Sequence, residues 1–408
     1  MSLDLALVER ARGVAGDVLA GNADRVDTEA HFPRENLAAL HRAGLMAVFL
    51  APELGGHRAS IRTYSAIAAA LAEHCTSTAM LWAMHGQQLI SLHDHAADSH
   101  QPWLRRAGDE GCIIGSVTTD DTGGADLFVT GDPLLIEGAM LRVRRTAPVV
   151  TAGANAGFYL VSMRDGPDVP LTQTSLVCVE HADGEIVERG RWDAMGMRGT
   201  HSVPMLFDAL VEPSRVLATP LSEIAKLTLV PVGHVGWASC WLGTARGAVN
   251  RVRDAVRRRS IRATTTRSDL LFSRLAELRL KLDLLDSLIT RVATEADEAR
   301  SARGRQQPAD QLDPVLVNNL KLAGSRLAFA ILDELIELVG MREGYLRHGA
   351  LGLERAFRDL RSAPLMFHND RLLQTNGRLV LAGGRGLIGL GDRDASANGS
   401  SPVPAPRP

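Results

Sequence analysis

The chain has 408 residues, of which 45% are hydrophobic and 23% are charged, and its formal net charge is −2. This length and composition exclude a disordered or collagen-like chain and allow two or three domains with sizeable cores. The near-neutral charge gives no general attraction to nucleic acid or to an anionic membrane. The four cysteines form no Cys-x-x-Cys pair, so we expect reduced thiols, no metal site and a cytoplasmic protein without a membrane span.

The first 110 residues carry apolar side chains at helical spacing and are predicted to form an α-helical domain. An amphipathic stretch at residues 3–19 begins it. Phe32-Pro33 then precedes a second helix, and Gly44 suits the end of that helix. Further helices are expected at about residues 60–75 and 77–95.

From residue 111 the spacing changes to short apolar or alternating runs separated by glycine, aspartate and proline. The runs lie at residues 112–118, 133–136, 140–144, 158–163, 175–179 and 204–211. This pattern is typical of strands joined by turns, and it predicts a central antiparallel β domain at residues 111–220.

Beyond residue 220 the strand pattern stops and four long helical stretches follow. They lie at residues 224–259, 268–303, 314–339 and 352–381. Four such helices predict a C-terminal four-helix bundle at residues 221–382. Residues 383–408, rich in serine, asparagine, glycine and proline, are expected to form a flexible tail.

One loop carries the strongest functional pattern of the chain. Residues 192–202 read Trp-Asp-Ala-Met-Gly-Met-Arg-Gly-Thr-His-Ser, with Gly196 and Gly199 bracketing Met197-Arg198. Glycine permits positive φ and close backbone approach, so this stretch is predicted to be a tight loop leading into a strand. Polar loops at strand ends are common places for ligand sites.

The pattern Trp-Asp-x-x-Gly-Met-Arg-Gly-Thr-x-Ser, followed by a short strand and Glu-Pro, resembles the middle-domain signature of the acyl-CoA dehydrogenase superfamily. The order of helices, β domain and four-helix bundle resembles that superfamily's architecture up to about residue 382. The resemblance implies an α+β multidomain flavoprotein that uses FAD, with FMN or reduced flavin as the alternative, and a homotetramer.

Two strand-end loops are similar to the family's flavin-binding loops. Residues 118–126 resemble Thr-Glu-Pro-x-x-Gly-Ser-Asp, which puts Thr119 on the threonine that bonds to the isoalloxazine edge and Gly124 on the glycine. Residues 149–153 resemble Trp-Ile-Thr-Asn-Gly, which puts Thr151 near the flavin N5 region. Each loop taken alone also suits an ordinary polar turn.

The remaining cofactor positions follow the family less closely. The resemblance places Arg198 and Ser202 near the flavin ring, and it places Arg259 on an arginine that contacts FAD of a neighbouring subunit. Gly340 falls in the family's Gln-x-x-Gly-Gly motif, but Glu337 stands where the glutamine would be. Because a carboxylate repels a pyrophosphate, FAD is expected to be held differently, or FMN to suffice.

The family's catalytic glutamate is missing from both of its known positions. Counting from the Arg-Asp pair at residues 358–359 puts Phe367 at the glutamate position, and His368 comes next. The alternative position, at residues 233–234 in the first bundle helix, holds glycine and histidine. Histidine is a general base near neutral pH. We therefore expect His368 to act in catalysis, with Asp370 orienting it or serving as the base itself.

A second histidine points to a different reaction. His85 and His368 together resemble the pocket histidines of superfamily members that hydroxylate substrates with reduced flavin and oxygen. Taken singly, each histidine is more often a packed or surface residue.

Three functions follow from these patterns. The first is α,β-dehydrogenation of an acyl thioester with a displaced base. The second is a reduced-flavin monooxygenase on the same fold. The third, less favoured, is a catalytically silent relative that binds nucleic acid through the arginine-rich residues 251–262. Expected partners are a small acyl or acyl-like substrate, further copies of this chain, and a flavin reductase or an electron-transfer flavoprotein.

Overall fold

The computed structural model describes residues 3–118, 127–262, 269–304 and 312–382, and it describes side chains for these residues except 259–262. Thr119 and Gly124 lie outside the described residues, as does the predicted tail at residues 383–408.

The N-terminal part is helical. Its helices are α1 (Leu5–Val14), α2 (Ala20–Thr28), α3 (Arg34–Arg42), α4 (Ile61–Ala72), α5 (Thr76–His95) and α6 (Gln101–Asp109). Local signals set several of their ends. The Asp4 carboxylate accepts a hydrogen bond from the Leu7 amide at the start of α1, and the Ser60 hydroxyl caps α4 in the same way. Gly44, with φ of 69°, follows α3 as expected.

Two sheets form the central part. Their strands are β1 (Ile114–Val117), β2 (Leu135–Glu137), β3 (Met140–Val150), β4 (Phe158–Arg164), β5 (Thr174–Val179), β6 (Gly184–Glu188) and β7 (Val203–Val211). One sheet has the order β1-β4-β5 and the other has the order β2-β3-β7-β6. The antiparallel prediction holds for all described pairs except one, since β1 runs parallel to β4. The long connection between those two strands passes through the second sheet, which a parallel pairing allows.

Strand β6 has no counterpart among the predicted runs. Its residues alternate weakly, and only Ile186 is buried. It lies at the edge of its sheet and pairs with β7 alone. An edge strand with one buried side chain leaves almost no apolar pattern in the sequence, so the prediction missed it.

The C-terminal part is again helical. Its helices are α7 (Leu221–Ile224), α8 (Val230–Arg262), α9 (Asp269–Gly304), α10 (Pro314–Val339), α11 (Leu353–Arg361) and α12 (Asn369–Leu381). The single helix predicted at residues 352–381 is therefore wrong. A turn at residues 362–368 separates α11 from α12, and within it Phe367 adopts a φ of 46°. No helix in the described ranges combines the length and apolarity needed to cross a bilayer.

The three parts share one continuous apolar core that runs through α4, α5, α8, α10 and the sheets. Helix α5 is buried on nearly all sides, and the ring of its Trp82 stacks on the ring of Tyr64 of α4 at a centroid distance of 5.1 Å. A side-chain carbon at Gly86 or Gly236 would overlap the Tyr64 ring, so both glycines are required for this packing. The core thus brings α5, α8 and the strand ends into one region.

Candidate active site

The loop at residues 192–202 sits where the three parts of the chain meet. A side-chain carbon on Gly196 would lie 2.2 Å from the carbonyl oxygen of Arg358, and one on Gly199 would lie 2.3 Å from Val26 Cγ1. The prediction of close backbone approach is therefore confirmed at both glycines. The positive φ angles instead fall on Met197 and His201, at 48° and 44°.

An arginine of α11 ties this loop to α2. Arg358 donates to both carboxylate oxygens of Asp27, with N–O distances of 2.9 Å and 2.6 Å, and to the carbonyl oxygen of Met195 at 2.8 Å. Its Nε also pairs with Glu354 one turn earlier in α11. These groups are mostly buried, with exposed side-chain fractions of 17% for Arg358 and 9% for Asp27. A bidentate arginine–carboxylate pair of this kind fixes both partners in orientation.

The neighbouring aspartate holds the centre of the loop. Asp359 is buried, and its Oδ1 accepts a hydrogen bond of 2.5 Å from the Met197 amide. Burial, together with the nearby Asp27 charge, raises the pKa of Asp359 to about 6. The carboxyl is thus disfavoured in its charged form, and this unfavourable contribution to stability grows as pH rises from its unfolded pKa toward 6.

Arg198 and His201 add two bonds from the loop to the N-terminal part. Arg198 Nε donates to the carbonyl oxygen of Asp27 at 2.8 Å, and its Nη1 donates to that of Ala194 at 3.3 Å. His201 Nε2 donates to the carbonyl oxygen of Ala30 at 2.7 Å. Arg198 therefore joins the loop to α2 and also holds the loop itself together, and its predicted place near the flavin ring stays a prediction.

Three hydroxyl groups form a chain at the ends of β3 and β7. Thr151 Oγ1 lies 3.1 Å from Ser202 Oγ, which lies 2.9 Å from Thr200 Oγ1. Thr200 in turn donates to the carbonyl oxygen of Met197 at 2.9 Å. Since Thr200 uses its proton there, Thr151 keeps hydrogen-bonding capacity at the open end of the chain. The structure therefore brings together Thr151 and Ser202, as the sequence predicts.

His85 lies elsewhere in this region, in the packing between α5 and the first sheet. Its Nε2 donates to the carbonyl oxygen of Met46 at 2.8 Å, and its Nδ1 accepts from the Ile114 amide at 3.2 Å. Burial lowers the pKa of His85 to about 4. Both ring nitrogens are occupied by backbone groups in this structure, and a catalytic role of His85 stays a prediction.

The slot of the missing glutamate is apolar in this chain. Phe367 occupies it, with its ring 6.0 Å from that of His234 on α8. His234 is buried and donates from Nδ1 to the carbonyl oxygen of Val317 at 3.1 Å, which leaves the Nε2 lone pair available. Burial lowers the pKa of His234 to about 4, so the ring is neutral at pH 7. A neutral imidazole with so low a pKa is a weak base.

His368 and Asp370 lie at the rim of the glutamate slot rather than inside it. His368 precedes α12, its side chain is 55% exposed, and its Nδ1 lies 3.8 Å from Asp370 Oδ2, which is 77% exposed. The two groups are therefore brought together as predicted, but solvent reaches both within a single chain.

A buried lysine lies behind this rim. Lys321 Nζ donates to Asn369 Oδ1 at 2.7 Å, and Asn369 donates to Ser325 Oγ at 3.0 Å. Burial lowers the pKa of Lys321 to about 7. This network anchors the residue next to His368, and the sequence analysis missed it because its members lie on α10 and α12, about 45 positions apart.

Several buried polar atoms between α5 and α8 have no partner in the described part of the chain. They are both amide atoms of Gln88 and the indole nitrogens of Trp237 and Trp241. Gln88 follows Gln87, whose amide donates to Leu229 at the start of α8. A buried unpaired amide costs about 1–3 kcal/mol. Such atoms are suited to a bound molecule that supplies the missing hydrogen bonds.

Gly340, one of the two predicted contacts to the ADP half of FAD, lies near the surface of the chain. Gly340 ends α10 with φ of 76°, nothing lies within 4 Å of the position its side chain would take, and Glu337 and Met341 are exposed beside it. Arg259 lies in α8, but its side chain is outside the described residues. Contact of Arg259 and Gly340 with a cofactor stays a prediction.

Family profiles identify the chain. The profile of the N-terminal domain of acyl-CoA dehydrogenases matches residues 4–127, and that of the C-terminal domain matches residues 227–367. The chain belongs to the acyl-CoA dehydrogenase family. Within that family it is an enzyme of the flavin-dependent oxidoreductase type with a helical, β and helical domain order.

Curated relatives align along nearly the whole chain at low identity. The human short-chain specific acyl-CoA dehydrogenase is 25% identical over 92% of this chain and 88% of its own. Cyclohex-1-ene-1-carbonyl-CoA dehydrogenase of Geobacter metallireducens is 22% identical over 92% and 97%. The 3-sulfinopropanoyl-CoA desulfinase of Paraburkholderia xenovorans is 22% identical over 92% and 95%.

Solved structures of two reaction types share the fold. FMN-bound TdsC of a Paenibacillus species, a dibenzothiophene monooxygenase, superposes with a TM-score of 0.80 at 20% identity, covering 93% of this chain and 98% of its own. Methanesulfinate monooxygenase of Pseudomonas fluorescens gives 0.77 at 20%, covering 92% and 97%. Butyryl-CoA dehydrogenase of Megasphaera elsdenii gives 0.79 at 15%, covering 93% and 100%.

Flavin affinity is expected to depend on the hydroxyl chain. In the double variant Thr151→Ala, Ser202→Ala, the flavin loses its partner at this strand end, and binding should weaken by roughly 1–3 kcal/mol. Fluorescence titration of the apoprotein with FAD and with FMN measures this. Thr294→Ala is the control, because the described hydrogen bond of that hydroxyl stays within α9, to the carbonyl oxygen of Thr290. Equal affinity in the double variant and the control would remove both residues from the flavin site.

Proposed function

We propose that this protein is a reduced-flavin monooxygenase that inserts oxygen into a small, largely apolar substrate. The observation that carries the proposal is the apolar glutamate slot, where Phe367 packs against a neutral His234. Removal of an α-proton requires a base within reach of the α-carbon, whereas transfer of oxygen to an electron-rich substrate does not. The fold shared with two monooxygenases supports the proposal by analogy.

The residues present fit a flavin. Thr151 offers unused hydrogen-bonding capacity at a strand end, and it is held in place by Ser202 and by Thr200 behind it. The loop at residues 192–202 that carries two of these hydroxyls is fixed by Asp359 and Arg358. When bound, reduced flavin supplies two electrons to O2, so that one oxygen atom enters the substrate and the other leaves as water.

The chain's own groups would then bind and orient the substrate. Gln88 and Trp237 offer buried hydrogen-bonding atoms that the described residues leave unpaired. Phe367 closes the slot with an apolar ring and keeps water from the reacting carbon. The neutral His234, whose Nε2 keeps its lone pair, accepts a hydrogen bond from a substrate hydroxyl or N–H group.

The form of the flavin follows from the surface at the end of α10. FMN or a diffusible reduced flavin suits the chain better than FAD, because the exposed Glu337 and Met341 replace groups that the family uses at a pyrophosphate. A flavin reductase is then the partner that supplies electrons. Retention of FAD through Arg259 and Gly340 of a neighbouring copy is the alternative.

A second function has its own support. Dehydrogenation of an acyl thioester, with His368 and Asp370 as the displaced base, is favoured by the 3.8 Å approach of the two side chains directly after the glutamate slot. The relatives that carry the names of CoA dehydrogenases also align over 92% of the chain. In that reaction an electron-transfer flavoprotein is the partner that reoxidises the flavin.

Isotope transfer tests the monooxygenase directly. The protein is supplied with FMN, NADH and a separate flavin reductase under 18O2, with indole or dibenzothiophene as the substrate. The expected result is product carrying one 18O atom, formed only when the protein is present. Oxygen consumption that yields hydrogen peroxide alone with every apolar substrate tried would argue against this function.

The chain is expected to form a homotetramer with two-fold interfaces in the helical bundle. Helix α9 exposes Phe272, Leu280 and Leu284, at 50%, 51% and 54%, and the latter two share one helix face. Such an exposed apolar face is suited to a second copy of this chain. Light scattering of the flavin-loaded protein at micromolar concentration should give the mass of four chains. A monomer under those conditions would contradict the proposed assembly.

A further inference from the structure

A cavity of about 310 Å³ has Arg358 in its wall. It is bounded by the end of α2, by α8 near Arg251 and by the segment that leads into α11. Cationic side chains dominate its wall: Arg251, Arg347, Arg355, Arg358, His74 and His348.

The carboxylates in the wall of the cavity already form ion pairs with arginines of the same wall. Asp27 and Glu354 pair with Arg358, and Asp24 pairs with Arg355. Within the described residues, no carboxylate forms an ion pair with the other cationic side chains of the wall. The cavity is therefore left with the unpaired positive charges of Arg251 and Arg347, and with two histidines that add charge when protonated.

Arg251 is the unusual member of this group. It is largely buried, and its described hydrogen bonds go only to backbone carbonyl oxygens, from Nε to Leu351 at 2.8 Å and from Nη1 to Glu73 at 3.1 Å. The Glu73 carboxylate pairs with Arg246 instead, at 2.7 Å. Burial and the neighbouring Arg355 charge lower the pKa of Arg251 to about 10, and the Glu73 charge acts in the opposite direction.

A largely buried guanidinium that forms no described ion pair is stabilised when an anion accompanies it. The two carbonyl bonds fix the plane of the Arg251 guanidinium and leave its Nη2 without a described partner. A rigid planar donor of this kind, beside a second unpaired arginine, matches the oxygens of a phosphate group. Arg253, Arg257 and Arg258 of the same helix are exposed, so Arg251 differs from them in its surroundings.

We propose that this cavity is a binding site for a phosphate group, with Arg251 at its floor and Arg347 at its mouth. The volume admits inorganic phosphate, pyrophosphate or the phosphate end of a nucleotide. The site is separate from the hydroxyl chain at Thr151 and does not depend on the reaction catalysed.

Calorimetry with the flavin-loaded protein tests the site. Inorganic phosphate, pyrophosphate and ADP are titrated separately at constant ionic strength set with NaCl. Saturable binding of one or more of these ligands is expected, and Arg251→Met should weaken it by at least about tenfold because the only buried unpaired charge is removed from the described wall. Arg253→Met, on the exposed face of the same helix, should bind like the parent. Tighter binding of ADP than of phosphate identifies a phosphate ester as the ligand, and equal binding identifies the free ion.

Three results would overturn the site. One is the absence of saturable binding by all three ligands. Another is equal binding by Arg251→Met and Arg253→Met. The third is release of the flavin at the same ligand concentrations, measured by flavin absorbance in a filtrate. Such release would assign the binding to the cofactor position. If Arg251→Met does not fold, Arg347→Ala replaces it, since that residue makes no described bond that holds the fold, and loss of binding in it is again the expected result.

Discussion

Replacement of Arg358 by alanine is expected to lower the free energy of unfolding by about 3–5 kcal/mol, the range found when one partner of a buried ion pair is removed. The change leaves the carboxylates of Asp27 and Glu354 largely buried without their common partner, and it removes the bond to the Met195 carbonyl. Denaturant unfolding followed by far-ultraviolet circular dichroism and by tryptophan fluorescence measures the loss.

Two further variants serve as controls for the Arg358→Ala result. Arg358→Lys keeps the charge but cannot make the bidentate pair with Asp27, so its stability should lie between those of the parent and the alanine variant. Arg371→Ala, on the exposed side of α12, should stay within about 0.5 kcal/mol of the parent. If Arg358→Ala were as stable as Arg371→Ala, the junction would not hold the three parts of the chain together.

Replacement of His368 by alanine is expected to reduce turnover by about 100-fold while flavin stays bound, because its imidazole would be the displaced base of a dehydrogenase or would polarise the substrate of a monooxygenase. His368 is the titratable group that follows the Phe367 slot directly, and Asp370 lies beside it. Steady-state rates with the 18O-incorporation assay measure the effect. A His368→Ala protein with full activity would remove this residue from the mechanism.

A carboxylate returned to the slot separates the two candidate reactions. In the His368→Ala background, Phe367→Glu restores the family's base and is expected to leave a monooxygenase inactive. Recovery of butyryl-CoA oxidation in that double variant, absent from the matched Phe367→Gln variant, would favour the dehydrogenase. The glutamine control has nearly the same volume as glutamate and the same positive φ to satisfy, so only the charge differs.

Local sequence patterns were sufficient to predict much of the fold. Helix α10 was predicted with its observed bounds, because Asp313 and Pro314 mark its start and Gly340 its end. The break between α11 and α12 was missed, since apolar residues continue at near-helical spacing through residues 362–368. Pro364 was the available signal, and it marks the turn that positions the glutamate slot.

The site was less predictable because its bonds join distant parts of the chain. Arg198 contacts Asp27, which is 171 positions away, and Arg358 contacts the same aspartate across 331 positions. The short motif around Arg198 could show that this residue lies in a functional loop. The motif could not show which partners the side chain contacts. His85 was likewise identifiable as a buried histidine, but its two backbone partners come from separate segments.

The central claim is that the flavin site works without a base for α-proton removal. Anaerobic titration of the flavin-loaded protein with butyryl-CoA, followed by the absorbance of the oxidised flavin, tests it most directly. The account predicts that the absorbance stays constant after an excess of butyryl-CoA, while chemically added reductant still bleaches the same sample. Bleaching by a stoichiometric amount of butyryl-CoA would contradict the claim and identify the protein as a dehydrogenase.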